Sequence, residues 1–183
     1  MSKTNYKKPS RLKYLLQIIG YLFNPLVIIE QCHRMGFVVI NQSLPQRKFK
    51  KKSSVNIHPS AVLRHADRIV IGNHCLINHN NVLQAGKTVA WIRIGDHVHT
   101  GPGVMMFAYN HMFESGTPSI LQGYEEHDII IGNDVWIGAN SVILAGSVIE
   151  DGVVIGASSL VRGRLEENTV YAGNPLKKIG ARP

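Results

Sequence analysis

His111 is the side chain best suited to chemistry. It sits in the run Phe107-Ala108-Tyr109-Asn110-His111-Met112-Phe113-Glu114. Imidazole changes charge near neutral pH and can take a proton from a hydroxyl as that oxygen attacks. A base of this kind works best beside an orienting partner. Glu114, three residues on, is the first candidate, and Asn110 is the second. Taken alone, a histidine beside a turn is more often structural. A second constellation competes with it. His74, His79, His97 and His99 lie upstream, and imidazole is a good zinc ligand. Neither Cys32 nor Cys75 stands in a nucleophile motif.

The scaffold that must position these residues is written in a six-residue beat. Ile131, Ile137, Ile143, Ile149, Ile155 and Val161 are evenly spaced. That period fits neither an amphipathic helix nor a simple alternating strand. It is the signature of a β-helix, whose short strands bury their apolar faces only by stacking. Gly132, Gly138 and Gly156 follow the aliphatic residue, where glycine is expected to supply the positive φ of a corner. Val135, Ser141, Ser147, Val153 and Ser159 fall four residues after it, as a narrow inward slot requires. The same grammar runs through Ile71, Ile77 and Leu83, then Ile94, Thr100 and Met106, with Cys75 in the small slot. The phase jumps twice, after Leu83 and, more widely, after Met106. His111 lies at the base of the second jump, where a loop leaves the scaffold. Glu125, Glu126 and His127 close the same excursion and are expected on the acceptor side.

These motifs resemble the hexapeptide-repeat acyltransferases. The stretches Asn110-His111-Met112-Phe113, Gln122-Gly123-Tyr124, residues 131–140, and Tyr171-Ala172-Gly173-Asn174-Pro175 are similar to the sugar and polysaccharide O-acetyltransferase branch. The likeness covers roughly residues 55–180. It implies an all-β solenoid, a left-handed parallel β-helix with an N-terminal helical segment and a short C-terminal tail or helix. Ile131 then stacks beneath Ile149, Ile137 beneath Ile155, and Ile143 beneath Val161. The organisation it implies is a basic and apolar helical segment over 1–52, the β-helix over 53–168 with an excursion near 107–130, and a tail over 169–183.

The resemblance also implies an activity. Acetyl-CoA is the co-substrate, with no metal, and the acceptor is a hydroxyl of a sugar or of a polysaccharide or lipopolysaccharide precursor. His111 inherits the role of general base in a direct transfer. Ala139 and Ala157 match positions where the backbone meets the pantetheine arm, with Trp136 as a wall beside it. Arg162 and Lys177 match the phosphate-binding region. The run Val161-Arg162-Gly163-Arg164 departs from the usual Thr-Lys pair, which brings Arg164 and Lys178 in as substitutes. Asn78, with Asn80 and Tyr109, is implied on the acceptor side. A homotrimer with sites between subunits is implied too. N-acetylation of an amino sugar is the main alternative. A γ-type carbonic anhydrase built on the histidines, or a non-catalytic scaffold, is more remote.

Composition narrows the rest. At 183 residues one domain is expected. Two cysteines are too few for a disulfide framework, and a reducing cytoplasm is the simplest compartment. The net charge of +8 collects in Lys3, Lys7, Lys8, Arg11 and Lys13, and again in Arg47, Lys48, Lys50, Lys51 and Lys52. No interleaved aromatics accompany these runs, which argues against a nucleic-acid partner. Leu12, Leu15, Leu16, Ile19, Leu22, Phe23 and Leu26 recur at helical spacing and predict a helix over 12–29, ended or kinked at Pro25. Two roles remain for that helix: a cap or oligomer contact, or peripheral contact with the inner membrane surface.

Overall fold

The computed structural model describes residues 10–48 and 54–183. The expected boundary at 52/53 and the basic residues Lys3, Lys7, Lys8 and Lys50 to Lys52 lie outside the described residues. The chain divides into two compact units, 1–39 and 40–183.

In the first unit the single helix expected over 12–29 is two helices, Arg11–Leu22 and Pro25–Val38. Pro25 starts the second helix as well as interrupting the first. Its missing N–H costs nothing in a first turn, and Asn24 caps that turn by accepting the Leu26 N–H at 2.9 Å. Neither helix contains a buried residue. Among the described residues no single helix is long and apolar enough to cross a membrane.

The second unit is a coil with three parallel faces. Asn56–Ile57, Leu76–Ile77, His99–Thr100, Trp136–Ile137, Val154–Ile155 and Thr169–Ala172 stack on the first face. Val62–Arg64, Val82–Gln84, Met105–Phe107, Val142–Ile143 and Leu160–Val161 form the second. Ile69–Ile71, Ile92–Ile94, Ile129–Ile131, Val148–Ile149 and Arg164–Leu165 form the third. The register is the one the resemblance implies: Ile131 opposes Ile149, Ile137 opposes Ile155, and Ile143 opposes Val161. These aliphatics are buried, and so are the small-slot residues Val135, Ser141, Ser147, Val153 and Ser159. A buried hydroxyl needs a partner. Ser141 and Ser159 both donate to the Gly156 carbonyl, at 3.1 and 2.6 Å, and Ser147 donates to that of Leu144 at 2.7 Å.

The glycines after the aliphatics serve a different purpose from the one expected. Positive φ belongs instead to residues such as His74, Asn80, His97, Asp134, Asn140 and Ser158. Gly132 and Gly138 are needed because the next coil lies against them. A Cβ on Gly138 would meet the Ala157 amide nitrogen at 2.5 Å, and one on Gly132 would meet the Asp151 carboxylate at 2.2 Å.

Both ends of the coil are covered. At the start, Gln46 on the short helix Leu44–Lys48 donates to the Ala61 carbonyl at 2.8 Å, and to those of His58 and Pro59 at 3.3 Å. At the end, the coil continues through Thr169–Ala172, past the expected limit of 168. The C-terminal tail or helix is a strand, Lys177–Ala181, antiparallel to that last turn.

Candidate active site

The second phase jump folds as a hairpin. Tyr109–His111 pairs antiparallel with Tyr124–Glu126, so that His111 faces Tyr124. The two rings lie 4.6 Å apart. Tyr124 also meets Tyr109 edge-on at 5.2 Å, and the Lys87 ammonium sits 3.4 Å above the Tyr124 ring centre. Gln84 donates to the Tyr109 hydroxyl. An aromatic pair under a cation therefore supports the imidazole.

The expected carboxylate partner is not in place. Among the described residues no hydrogen bond or ion pair joins His111 to Glu114 or Asn110. Asn110 is held in the hairpin ladder opposite Glu125. The Glu114 backbone is pinned by Gln122, which accepts its N–H at 2.8 Å and donates to its carbonyl at 2.9 Å. Gln122 donates to Thr117 as well, at 2.6 Å, which fixes the turn of the loop. His111, Met112, Phe113, Glu114 and Glu125 line an open cleft of about 210 Å³. Glu114 thus reaches the histidine's cleft without holding its ring.

Glu126 has a different job from its neighbours. Its carboxylate accepts the backbone N–H groups of Lys87, Thr88, Val89 and Ala90, at 2.8 to 3.0 Å. Those residues form the first phase jump, so one side chain ties the two insertions together. Gly86 makes room, since a Cβ there would lie 2.3 Å from a Glu126 carboxylate oxygen. Desolvation opposes ionisation of this group. The N–H groups of Val89, Ala90 and Thr88 outweigh it and hold the carboxyl at about 2, against an ordinary 4.5. A folded pKa below the unfolded one gives stability that is complete above about 4.5 and is lost as pH falls toward about 2. Glu126→Gln is therefore expected to lower the melting temperature at neutral pH. The gap from the parent protein should close across that acid window. A pH series of thermal melts checks it, and a gap that persists below the window would contradict the role. His127, by contrast, is exposed and pairs with Glu125 at 3.0 Å.

The second part of the site is a groove of about 470 Å³ along the first face. Asn78, Trp136, Ala139 and Ala157 line it together, with His99, Pro102, Gly138 and Gly156. Trp136 is half exposed and forms one wall. Asn78 is engaged locally, since its side-chain oxygen accepts the His79 N–H at 2.8 Å. The left-handed corner residue is Asn80, not Asn78.

The cations are dispersed. Arg162 and Arg164 follow the second-face strand Leu160–Val161 and do not line the groove, and Arg164 pairs with Glu150 at 2.6 Å. Lys178 pairs with Glu166. Lys177 stands opposite Ala172, whose Cβ packs against Gly156, and so marks the end of the groove wall. None of the four lines the groove itself. The histidine cleft and the groove share no lining residue.

Among the described residues no group of three or more His, Cys, Asp or Glu side chains converges on a metal-sized site. His74 and His97 stack on each other at 5.0 Å, each at a left-handed corner. Cys75 is buried in its small slot, while Cys32 is exposed.

Residues 128–163 match the bacterial transferase hexapeptide family as six repeats. Over those residues the chain carries the repeats of the hexapeptide transferases. Its repeats mark the parallel coil as a left-handed β-helix. Among curated relatives, a chloramphenicol acetyltransferase of Agrobacterium fabrum is 35% identical over 122 residues, covering 64% of this chain and 53% of its own length. The putative lipopolysaccharide biosynthesis O-acetyl transferase WbbJ of Escherichia coli is 39% identical over 89 residues, 47% of this chain and 42% of its own length. The chain thus spans about half the length of such relatives. A hexapeptide-repeat acetyltransferase of Vibrio cholerae, solved in complex with acetyl-CoA, superposes with a TM-score of 0.67 at 25% identity, over 88% of this chain and 91% of its own.

For this hexapeptide-repeat protein, Tyr124, Lys87 and Gln84 were the supporting residues that sequence reasoning missed. The signal was present in the register. Gln84 opposes Phe107, so insertions that begin just after them emerge from the same seam of adjacent coils.

Proposed function

We propose that the protein transfers an acetyl group from acetyl-CoA to a hydroxyl of a sugar, or of a polysaccharide or lipopolysaccharide precursor. The observation that carries this reading is the groove floored by Gly138, Ala139, Gly156 and Ala157. Small residues over close-packed backbone suit a thin, extended arm such as pantetheine, and a solved neighbour of the same fold carries acetyl-CoA. Acetyl-CoA supplies an activated thioester. His111 accepts the acceptor's hydroxyl proton as its oxygen attacks, and returns the proton to the departing thiolate, so no acyl-enzyme is required. Tyr124 orients the imidazole through ring contact in place of a carboxylate. Lys177, opposite Ala172, meets the phosphates in this reading.

One chain does not unite the cleft and the groove. A homotrimer in which the groove of one subunit meets His111 of the next would complete the site, and cyclic symmetry repeats that shared site at each interface. Acetyl-CoA use is consistent with a cytoplasmic location. WbbJ, named for lipopolysaccharide O-acetylation, favours a glycan hydroxyl. N-acetylation is the second reading, since neighbours of this fold include an N-acyltransferase solved with a dTDP-amino sugar and coenzyme A.

Release of CoA from acetyl-CoA, measured across glycan intermediates, amino sugars and chloramphenicol, tests the acceptor class. Turnover confined to glycan hydroxyls is the expected result, and turnover only on amines would replace it with the second reading. Ala157→Trp is expected to weaken acetyl-CoA binding by about ten- to a hundredfold, the equivalent of 1–3 kcal/mol of overpacking. Calorimetric titration checks that value, and unchanged affinity would move the co-substrate off the groove.

A further inference from the structure

The first unit poses a question that catalysis leaves open. Arg11–Leu22 and Pro25–Val38 bury no residue of their own, and their exposed side chains include Leu12, Leu15, Leu16, Leu22, Phe23 and Leu26. No charged residue interrupts residues 14–29. Three observations say what covers this surface.

The first is charge. Lys3, Lys7, Lys8, Arg11 and Lys13 precede the uncharged run, and Arg34, Arg47, Lys48, Lys50, Lys51 and Lys52 follow it. The one acid close by, Glu30, is paired with Arg34 at 2.9 Å. Both flanks are therefore cationic, which complements the anionic phospholipid of a membrane surface. Cationic flanks also prefer one and the same side of a membrane.

The second is length. Residues 14–29, even as one straight helix, would reach about 24 Å, short of the ~30 Å hydrocarbon core. They are not straight, because the chain bends by 69° between the two helices. No single helix can cross, and the bend leaves the pair as a broken span or a re-entrant loop, of which the shared side preferred by the cationic flanks favours the second.

The third is the chemistry of the bend. An unsatisfied N–H is costly in hydrocarbon. Pro25 has none to satisfy. The Asn24 N–H donates to the Tyr21 carbonyl at 3.1 Å, and the Leu26 N–H donates to the Asn24 side chain at 2.9 Å. The N–H groups of Asn24 and Leu26 are thus paired within the turn itself.

We infer that residues 11–38 form a re-entrant helical hairpin that enters one leaflet of an anionic phospholipid membrane and leaves by the same face. This holds whether or not the acetyl-transfer reading does.

Flotation of the full chain with vesicles of phosphatidylethanolamine and phosphatidylglycerol tests the inference. The parent protein is expected to float with them, to stay bound through a high-salt wash, and to bind phosphatidylcholine vesicles less. Ile19→Asp places a charge mid-hairpin and is expected to cut partitioning about a hundredfold. The melting temperature of the β-helix should not change, which separates lost binding from lost folding. Topology is read in a Cys32→Ser background with Ser10→Cys or Ser43→Cys. Both thiols should react with a membrane-impermeant maleimide from the same side. Labelling from opposite sides would show a spanning segment and overturn the hairpin. Failure to float, with the two helices protected from exchange in a soluble oligomer, would overturn it in favour of a protein partner.

Discussion

His111→Ala is expected to slow acetyl transfer by about 10²- to 10⁴-fold, the usual contribution of a positioned general base. Acetyl-CoA affinity should hardly change, because the groove along Trp136, Ala139 and Ala157 has no lining residue in common with the histidine cleft. Steady-state turnover together with direct titration of acetyl-CoA measures both. A loss confined to KM would make His111 a binding residue. Near-parental turnover would remove it from the reaction. Tyr124 supplies a control on how the base is held. Its ring lies 4.6 Å from the imidazole, so Tyr124→Phe should retain most of the rate and Tyr124→Ala should not.

The second large effect lies in the coil. Ile137→Ala should destabilise the β-helix by about 2–5 kcal/mol. Ile137 is fully buried and stacks between Thr100 and Ile155, so no solvent or mobile segment can fill the cavity left behind. Denaturant unfolding is the measurement, and a cost comparable to that of an exposed substitution would contradict the stacking. Solenoids are stabilised through nearest-neighbour interfaces. The loss should therefore be felt first in the adjacent coils, where hydrogen exchange reports opening locally.

The coil was legible because its rule is local. One position in six must be aliphatic and one must be small, and stacking repeats that demand at every turn. The pairing of Ile131 with Ile149, Ile137 with Ile155 and Ile143 with Val161 needed one thing more, the three repeats per turn that the family resemblance implies. The glycine after the aliphatic was read with the wrong cause. A sequence displays a glycine but not whether a backbone lies 2.5 Å from its absent Cβ, as at Gly138.

The site was legible in part, for a similar reason. Asn78, Trp136, Ala139 and Ala157 sit at positions set by the repeat, and the structure puts all four on one groove, while His111 stands where the repeat breaks. Glu114 was chosen by nearness in sequence, while the ring against His111 belongs to Tyr124, across the hairpin. Arg164 and Lys178 were chosen for charge, and that charge is engaged by Glu150 and Glu166. Contacts between separate insertions leave no periodic trace. Glu126 reaching Lys87 through Ala90 is the clearest case. The helix over 12–29 was misjudged because Asn24-Pro25 both closes one helix and opens the next.

Ile92 and Ile94 pair directly with Ile129 and Ile131, although the whole hairpin intervenes in the chain. To the stacked core, the length and content of that hairpin are invisible. On the proposed function, substrate choice can then drift by trading this one cassette while the donor-side wall stays constant, provided a replacement reproduces the ties that Glu126, Gln84 and Lys87 make. A chain built in this way separates what it must keep to fold from what it can exchange to meet a new acceptor.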